Sequence, residues 1–135
     1  MCSSILLYTN GLKIMRHENY HCNFGCPVEA AIEAIGGKWK GVILYYLSED
    51  SDTPKRFNEL RKLMPSITQR MLTKQLRELE SDGIVYRHVY AEIPPKVEYS
   101  LTEFGKTLSP ILKALENWGI EYLQKLADIR QQRNQ

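Results

Sequence analysis

Apolar residues recur at helical spacing over most of the chain from Pro27 onward and alternate at strand spacing in only one region. Behind Pro27, whose fixed φ suits a first helical position, come Val28, Ala31, Ile32 and Ile35, and Gly36-Gly37 closes the run. Lys38 to Leu47 is apolar nearly all round (Trp39, Val42, Ile43, Leu44, Tyr46, Leu47), which predicts a second helix at the buried centre. Glu49 to Pro54 reads as a polar loop, and Phe57 to Met64 as a short helix with Phe57, Leu60 and Leu63 inward. Pro65-Ser66 breaks it, and Ser66 with Gln69 has the spacing of a capping box for a helix reaching about Ser81, ended by Asp82-Gly83.

Alternation then predicts two strands, Val85 to Tyr90 and Val97 to Leu101, joined by a projecting loop from Ala91 to Lys96 that holds Pro94-Pro95. Thr102 with Glu103 opens another short helix. Ser109-Pro110 starts a long one, with Ser109 as cap and a broad stripe of Ile111, Leu112, Leu115, Trp118, Tyr122, Leu123 and Leu126. Residues 1–25 show little apolar order and form an arm; residues 127–135 are expected to be a frayed tail. The class is α+β, mostly α. The element order is that of a winged helix-turn-helix with a two-stranded wing and extra helices at both ends.

Composition narrows the class of protein. A chain of 135 residues, 43% hydrophobic and 25% charged, fits one globular domain of the usual ~100–200 residues. Its longest apolar run, Val42 to Leu47, is far short of the roughly 20 residues of a membrane helix. Net charge is only +2, but its distribution is uneven. Pro54 to Arg77 carries Lys55, Arg56, Arg61, Lys62, Arg70, Lys74 and Arg77 against the single acid Glu59, while the remainder is net acidic. Such a stripe is the footprint of phosphate contact, or else a solvated helix face. Cys2, Cys22 and Cys26 are odd in number, and Met1 to Tyr8 lacks an export signal, so a reducing cytoplasm is expected. Met15 is a candidate start, because residues 1–14 show no period.

The helix-turn-helix, Phe57 to Ser81, carries the chemistry. On its second helix Leu72, Leu76 and Leu79 must face inward, and the opposite face collects Gln69, Arg70, Thr73, Lys74 and Arg77. Arg and Gln can bind base edges bidentately, while Lys and Thr suit phosphates. The acids Glu78 and Glu80 lie in the last turns, away from the entering end. Enzyme signatures are missing: Gly36-Gly37-Lys38 lacks the Ser or Thr of a phosphate loop, and no nucleophile elbow or zinc-protease motif occurs. No cofactor is expected. His17, His21, Cys22 and Cys26 offer soft ligands, but without the tight pairs of structural zinc.

Cys26-Pro27-Val28, Gly37-Lys38-Trp39, Phe57-Asn58-Glu59-Leu60, Gln69-Arg70-Met71-Leu72, Leu76-Arg77-Glu78-Leu79, Asp82-Gly83 and Val97-Glu98-Tyr99-Ser100-Leu101-Thr102 together resemble the HxlR-type helix-turn-helix regulators, in order, from about Cys26 to Leu126. The resemblance implies a bacterial winged-helix transcription factor that binds operator DNA as a homodimer, with residues 26–126 as the DNA-binding domain and its dimerisation helices. It places the wing around Pro94-Pro95-Lys96, so that Lys96 and Arg87 would reach flanking phosphates or the minor groove. His88 reads as a half-exposed strand residue and Tyr99 as core. Some members sense oxidants or electrophiles with the cysteine at the position of Cys26, which directly precedes a helix start where the dipole favours thiolate; Cys22 is a candidate resolving partner.

The stripe Leu115, Trp118, Tyr122 and Leu126 lies beyond a closed core and is expected to be a dimer seam. Val28, Ile32 and Ile35 are its second contributor, since family members pair through both chain ends. A small-molecule effector is not identified. The competing reading is a winged helix used for protein interaction, whose recognition face would be less cationic.

Overall fold

The computed structural model describes residues 27–135. Its elements are α1 (Pro27–Ile35), α2 (Lys40–Glu49), β1 (Lys55–Arg56), α3 (Phe57–Leu63), α4 (Gln69–Ser81), β2 (Val85–Tyr90), β3 (Lys96–Leu101), α5 (Glu103–Lys106) and α6 (Ser109–Arg133). The strands form one antiparallel sheet in the order β1-β3-β2. The expected wing is therefore backed by a third strand. Lys55 pairs with Tyr99 and Arg56 with Glu98. A two-residue strand has no readable alternation, which is why it hid inside a loop-to-helix transition.

α2 is the buried centre: Ile43 and Leu44 are sealed and Leu47 nearly so, although the helix opens at Lys40 rather than Lys38 and Val42 faces out. Around it close Leu60 of α3, Leu72, Leu76 and Leu79 of α4, Val85 of β2, Tyr99 and Leu101 of β3, and Leu112 of α6. Lys40 is the one buried cation among the described residues, and its Nζ lies 2.6 Å from Glu78 Oε2, tying α2 to the back of α4. The backbone turns sharply at Gly37 (φ 79°) and Gly83 (φ 74°), left-handed positions that a side chain would strain.

Several local expectations change. In α3 it is Met64, 4% exposed, and not Leu63, 42% exposed, that joins Leu60 in the core. The chain leaves the helix at Met64 and that turn swings its side chain inward. The cap of α4 is Thr68 rather than Ser66: Thr68 Oγ1 accepts a hydrogen bond from the Met71 N–H at 3.1 Å. Ile67, buried beside Leu72 in the core, carries the chain further round before the helix begins, a staple-like entry.

Thr102 caps α5, accepting from the Gly105 N–H at 2.9 Å while its hydroxyl donates to the Gly83 carbonyl at 2.7 Å. α6 has Leu108 as its N-cap, so Ser109 lies inside the helix with Pro110 in the first turn. The helix continues to Arg133 where a frayed tail was expected from residue 127. Gln and Arg are good helix formers, and Arg130 and Arg133 complement the negative end of the dipole.

The shifted cap makes a stability prediction. Thr68→Ala should lower unfolding free energy by about 1 kcal/mol, the usual cost of losing a side-chain cap. Ser66→Ala should stay within about 0.5 kcal/mol of the parent, as for an ordinary surface change. Urea titration of the two variants checks the order; the reverse order would restore Ser66 as the cap.

Candidate nucleic-acid interface

α4 divides cleanly. Leu72, Leu76 and Leu79 are buried, and on the outer side Gln69, Arg70, Thr73, Lys74 and Arg77 line one shallow surface concavity together with Glu78. All five residues expected from the sequence thus share a face. No acid occupies the first turn of α4. Glu78, at the far end of that face, is ion-paired with Lys40 at 2.6 Å. The Thr73 hydroxyl donates to the Gln69 carbonyl at 2.9 Å, which commits its proton and leaves it an acceptor towards any ligand.

A second concavity lies on α3 and the following turn, lined by Asn58, Arg61, Lys62, Pro65 and Ile67. Arg61 and Lys62 were part of the basic stretch but not singled out as contacts. Asn58, Arg61 and Lys62 stand three and four residues apart on the exposed side of α3, a spacing that was legible. They extend the cationic surface to the first helix of the motif, which in such motifs crosses the DNA backbone.

The wing departs from expectation at Lys96. It belongs to β3 rather than to the loop, and its Nζ lies 3.0 Å from Glu98 Oε1 and 4.8 Å from the centre of the Tyr90 ring. Residues two apart on a strand share a face, so Glu98 captures the ammonium that was expected to project. The Lys96 ammonium and the Tyr90 hydroxyl, which donates to Glu98 Oε2 at 3.0 Å, hold the Glu98 carboxyl below the usual carboxylate range despite partial desolvation. The loop tip is Ile93, fully exposed, beside Pro94. Arg87 is exposed and faces the flank of α4 in a crevice with Thr73, Arg77, Glu80 and Tyr99. His88 is half-buried, its Nδ1 3.3 Å from the Tyr86 hydroxyl, and Tyr99 is core at 8% exposure.

Away from this face, apolar side chains stand in solvent. Val28 and Ile32 of α1 are 62% and 61% exposed, and Leu115, Trp118 and Tyr122 of α6 are 50%, 62% and 48% exposed. Leu126 is half-buried, and the Trp118 and Tyr122 rings stack at 5.1 Å. Ile35 differs from its neighbours on α1, packing against the core. α6 is fixed to α2 where the Tyr45 hydroxyl sits 2.7 Å from Glu49 Oε1 and 2.9 Å from Glu116 Oε1. The two carboxylates raise the phenol above its ordinary pKa, Glu49 more than Glu116.

Cys26, Cys22, His17 and His21 lie outside the described residues. Among the described residues no group of His, Cys, Asp or Glu is arranged to hold a metal, and no helix is long and apolar enough to cross a membrane.

Comparison with known proteins bears on the same residues. The profile of the HxlR-like helix-turn-helix family matches residues 34–127. The HTH-type transcriptional regulator YdeP of Bacillus subtilis (strain 168) is 60% identical over 102 residues, covering 76% of this chain and 77% of YdeP. Among solved structures, the redox regulator HypR in its reduced form is 57% identical, covering 76% of this chain and 99% of that one, with a TM-score of 0.71. The diamide-treated regulator YodB from B. subtilis is 38% identical, covering 74% and 97% of the two chains, with a TM-score of 0.58. The relatives named here are regulators.

Proposed function

The chain belongs to the HxlR-like helix-turn-helix family, and from that premise we propose that it is a bacterial cytoplasmic transcriptional regulator that binds a pseudo-palindromic operator as a homodimer and responds to oxidants or electrophiles through Cys26. The observation that carries DNA binding is the convergence of Gln69, Arg70, Thr73, Lys74 and Arg77 on one face of α4, whose one acid, Glu78 at the far end, is ion-paired with Lys40. A winged helix built to dock protein has no need of such a face. Arg70 and Gln69, in the first turn, are placed to meet base edges; Lys74, with Arg61 and Lys62 of α3, supplies phosphate contacts. Residues 26–126 make up the DNA-binding domain with its dimerisation helices; residues 1–25, expected from the sequence as an arm, lie outside the described residues.

The exposed apolar residues of α1 and α6, Val28 and Ile32 with Leu115, Trp118, Tyr122 and Leu126, are the dimer seam. Contiguous apolar surface of that kind is rarely left in water. A two-fold pair would set two α4 helices in successive major grooves, so half-sites would lie about 10 bp, or a multiple, apart. The test of DNA binding is its salt dependence. With several phosphate contacts, log K should fall with log salt at a slope of about −0.9 per contact; a flat dependence would contradict the assignment.

Cys26 stands immediately before Pro27, the first residue of α1, where free backbone N–H groups favour thiolate. The similarity to the redox regulator HypR supports a sensing role. All three cysteines precede residue 27, so any disulfide must join two residues of the segment 1–26, within one chain or between two copies. In that reaction two thiols lose two electrons and two protons to an oxidant such as diamide. Cys26→Ser should abolish the change in DNA affinity caused by diamide, quinone or hypochlorite, and should remove any oxidant-dependent dimer band on a non-reducing gel. An unaltered oxidant response in Cys26→Ser would leave that residue a passive helix cap.

A further inference from the structure

We propose that the crevice between α4 and the sheet is a phosphate-binding site, occupied by one backbone phosphodiester of the DNA strand that runs between the recognition helix and the wing. The inference rests on the DNA-binding reading and adds to it a ligand, Tyr99, and a changed role for Arg77. Thr73, Arg77 and Glu80 follow one another at positions i, i+4 and i+7 along the flank of α4. Arg87 and Tyr99 are register partners on β2 and β3, so their side chains leave the same face of the sheet, towards α4. The crevice these five residues line holds about 180 Å³, several times the share of one water molecule.

Two features mark it as a site rather than a gap. Tyr99 is 8% exposed, its ring belongs to the core, and yet its hydroxyl takes part in no hydrogen bond within the described protein. A buried phenol normally finds a partner. This one is not sealed off either, because it is absent from the buried unsatisfied groups and lines the crevice. Its proton is therefore presented to whatever enters. The second feature is that neither Arg77 nor Arg87 is in an ion pair among the described residues. Glu80 at the rim is exposed and unpaired with either, leaving the crevice at a formal +1.

Two guanidinium groups and a phenol O–H converging on one small volume match the oxygens of a phosphate, which guanidinium binds bidentately. The position fits its source. With α4 in the major groove and the wing over the neighbouring groove, the strand dividing the two grooves must pass between them. Arg77 thereby becomes a backbone clamp that fixes the angle of α4, not a base reader, and carries no sequence information of its own.

Tyr99→Phe keeps the core ring and deletes only the proton donor. It should melt with the parent yet bind both a selected operator and an unrelated duplex about tenfold more weakly, with unchanged base preference. Arg87→Gln should give a similar loss and a salt slope shallower by about one. An operator with a single methylphosphonate in place of the clamped phosphate should bind the parent more weakly, and the same replacement should cost the Tyr99→Phe, Arg87→Gln double variant, which keeps only Arg77, clearly less. If Tyr99→Phe and Arg87→Gln bind both duplexes like the parent while Arg70→Ala still loses the operator, the crevice is overturned and the DNA reading stands. If the parent itself binds no duplex, the DNA reading fails and takes the crevice with it. Stabilisation of the parent by inorganic phosphate that vanishes in Tyr99→Phe, with DNA affinity unmoved, would overturn the DNA strand as the source and assign the site to a free phosphate.

Discussion

Replacing Trp118 and Tyr122 together by glutamate should convert the proposed dimer into a folded monomer and weaken operator binding by about 10²–10⁴-fold, the range over which linked sites exceed single ones. The reason lies in where these rings sit. Each is about half or more exposed in the protomer, and the two stack on each other along α6 instead of entering the core around α2. Their loss should leave circular dichroism and the cooperative unfolding of the protomer nearly unchanged. At a two-fold seam the same positions would become buried, and an uncompensated carboxylate there is strongly unfavourable. Sedimentation velocity at micromolar concentration measures the outcome. A parent chain already monomeric would remove the dimer from the account, and a double variant that unfolds would place the stripe in the core of the protomer.

Arg70→Ala should cost operator binding about 1–3 kcal/mol, the discrimination carried by one bidentate base contact, and relax preference at one position of each half-site. Lys74→Ala, one helical turn further along the same face, should act differently: weaker binding to every duplex and a salt slope smaller by about one. Both side chains are exposed and neither is in an ion pair among the described residues, so folding should not be disturbed. Competition binding against operators altered at single positions separates the two behaviours. If both variants keep the parent's footprint and base preference, α4 is not the recognition helix.

Much of this was legible from periodicity. Leu72, Leu76 and Leu79 repeat at helical spacing, and that alone turns Gln69, Arg70, Thr73, Lys74 and Arg77 outward. The hairpin was equally plain, because Val85 to Tyr90 and Val97 to Leu101 alternate and Pro94-Pro95 interrupts them. Features that depend on a partner distant in sequence were not. β1 exists only because β3 offers it an edge, and Lys40 is buried only because Glu78 lies across from it. The crevice could not be read in advance at all, since Arg77, Arg87 and Tyr99 meet through a helix–sheet contact that no local pattern encodes. Lys96 is the opposite case. Its capture by Glu98 follows from strand alternation, and was hidden only by assigning Lys96 to the loop.

If two copies of α4 read two half-sites of one operator, selection of bound sequences from a random DNA pool will show it. A dimeric reader should enrich an inverted repeat with half-site centres about 10 bp, or a multiple, apart, and Arg70→Ala should erase part of each half equally. Enrichment of a lone, asymmetric half-site, or of no sequence at all at physiological salt, would contradict it.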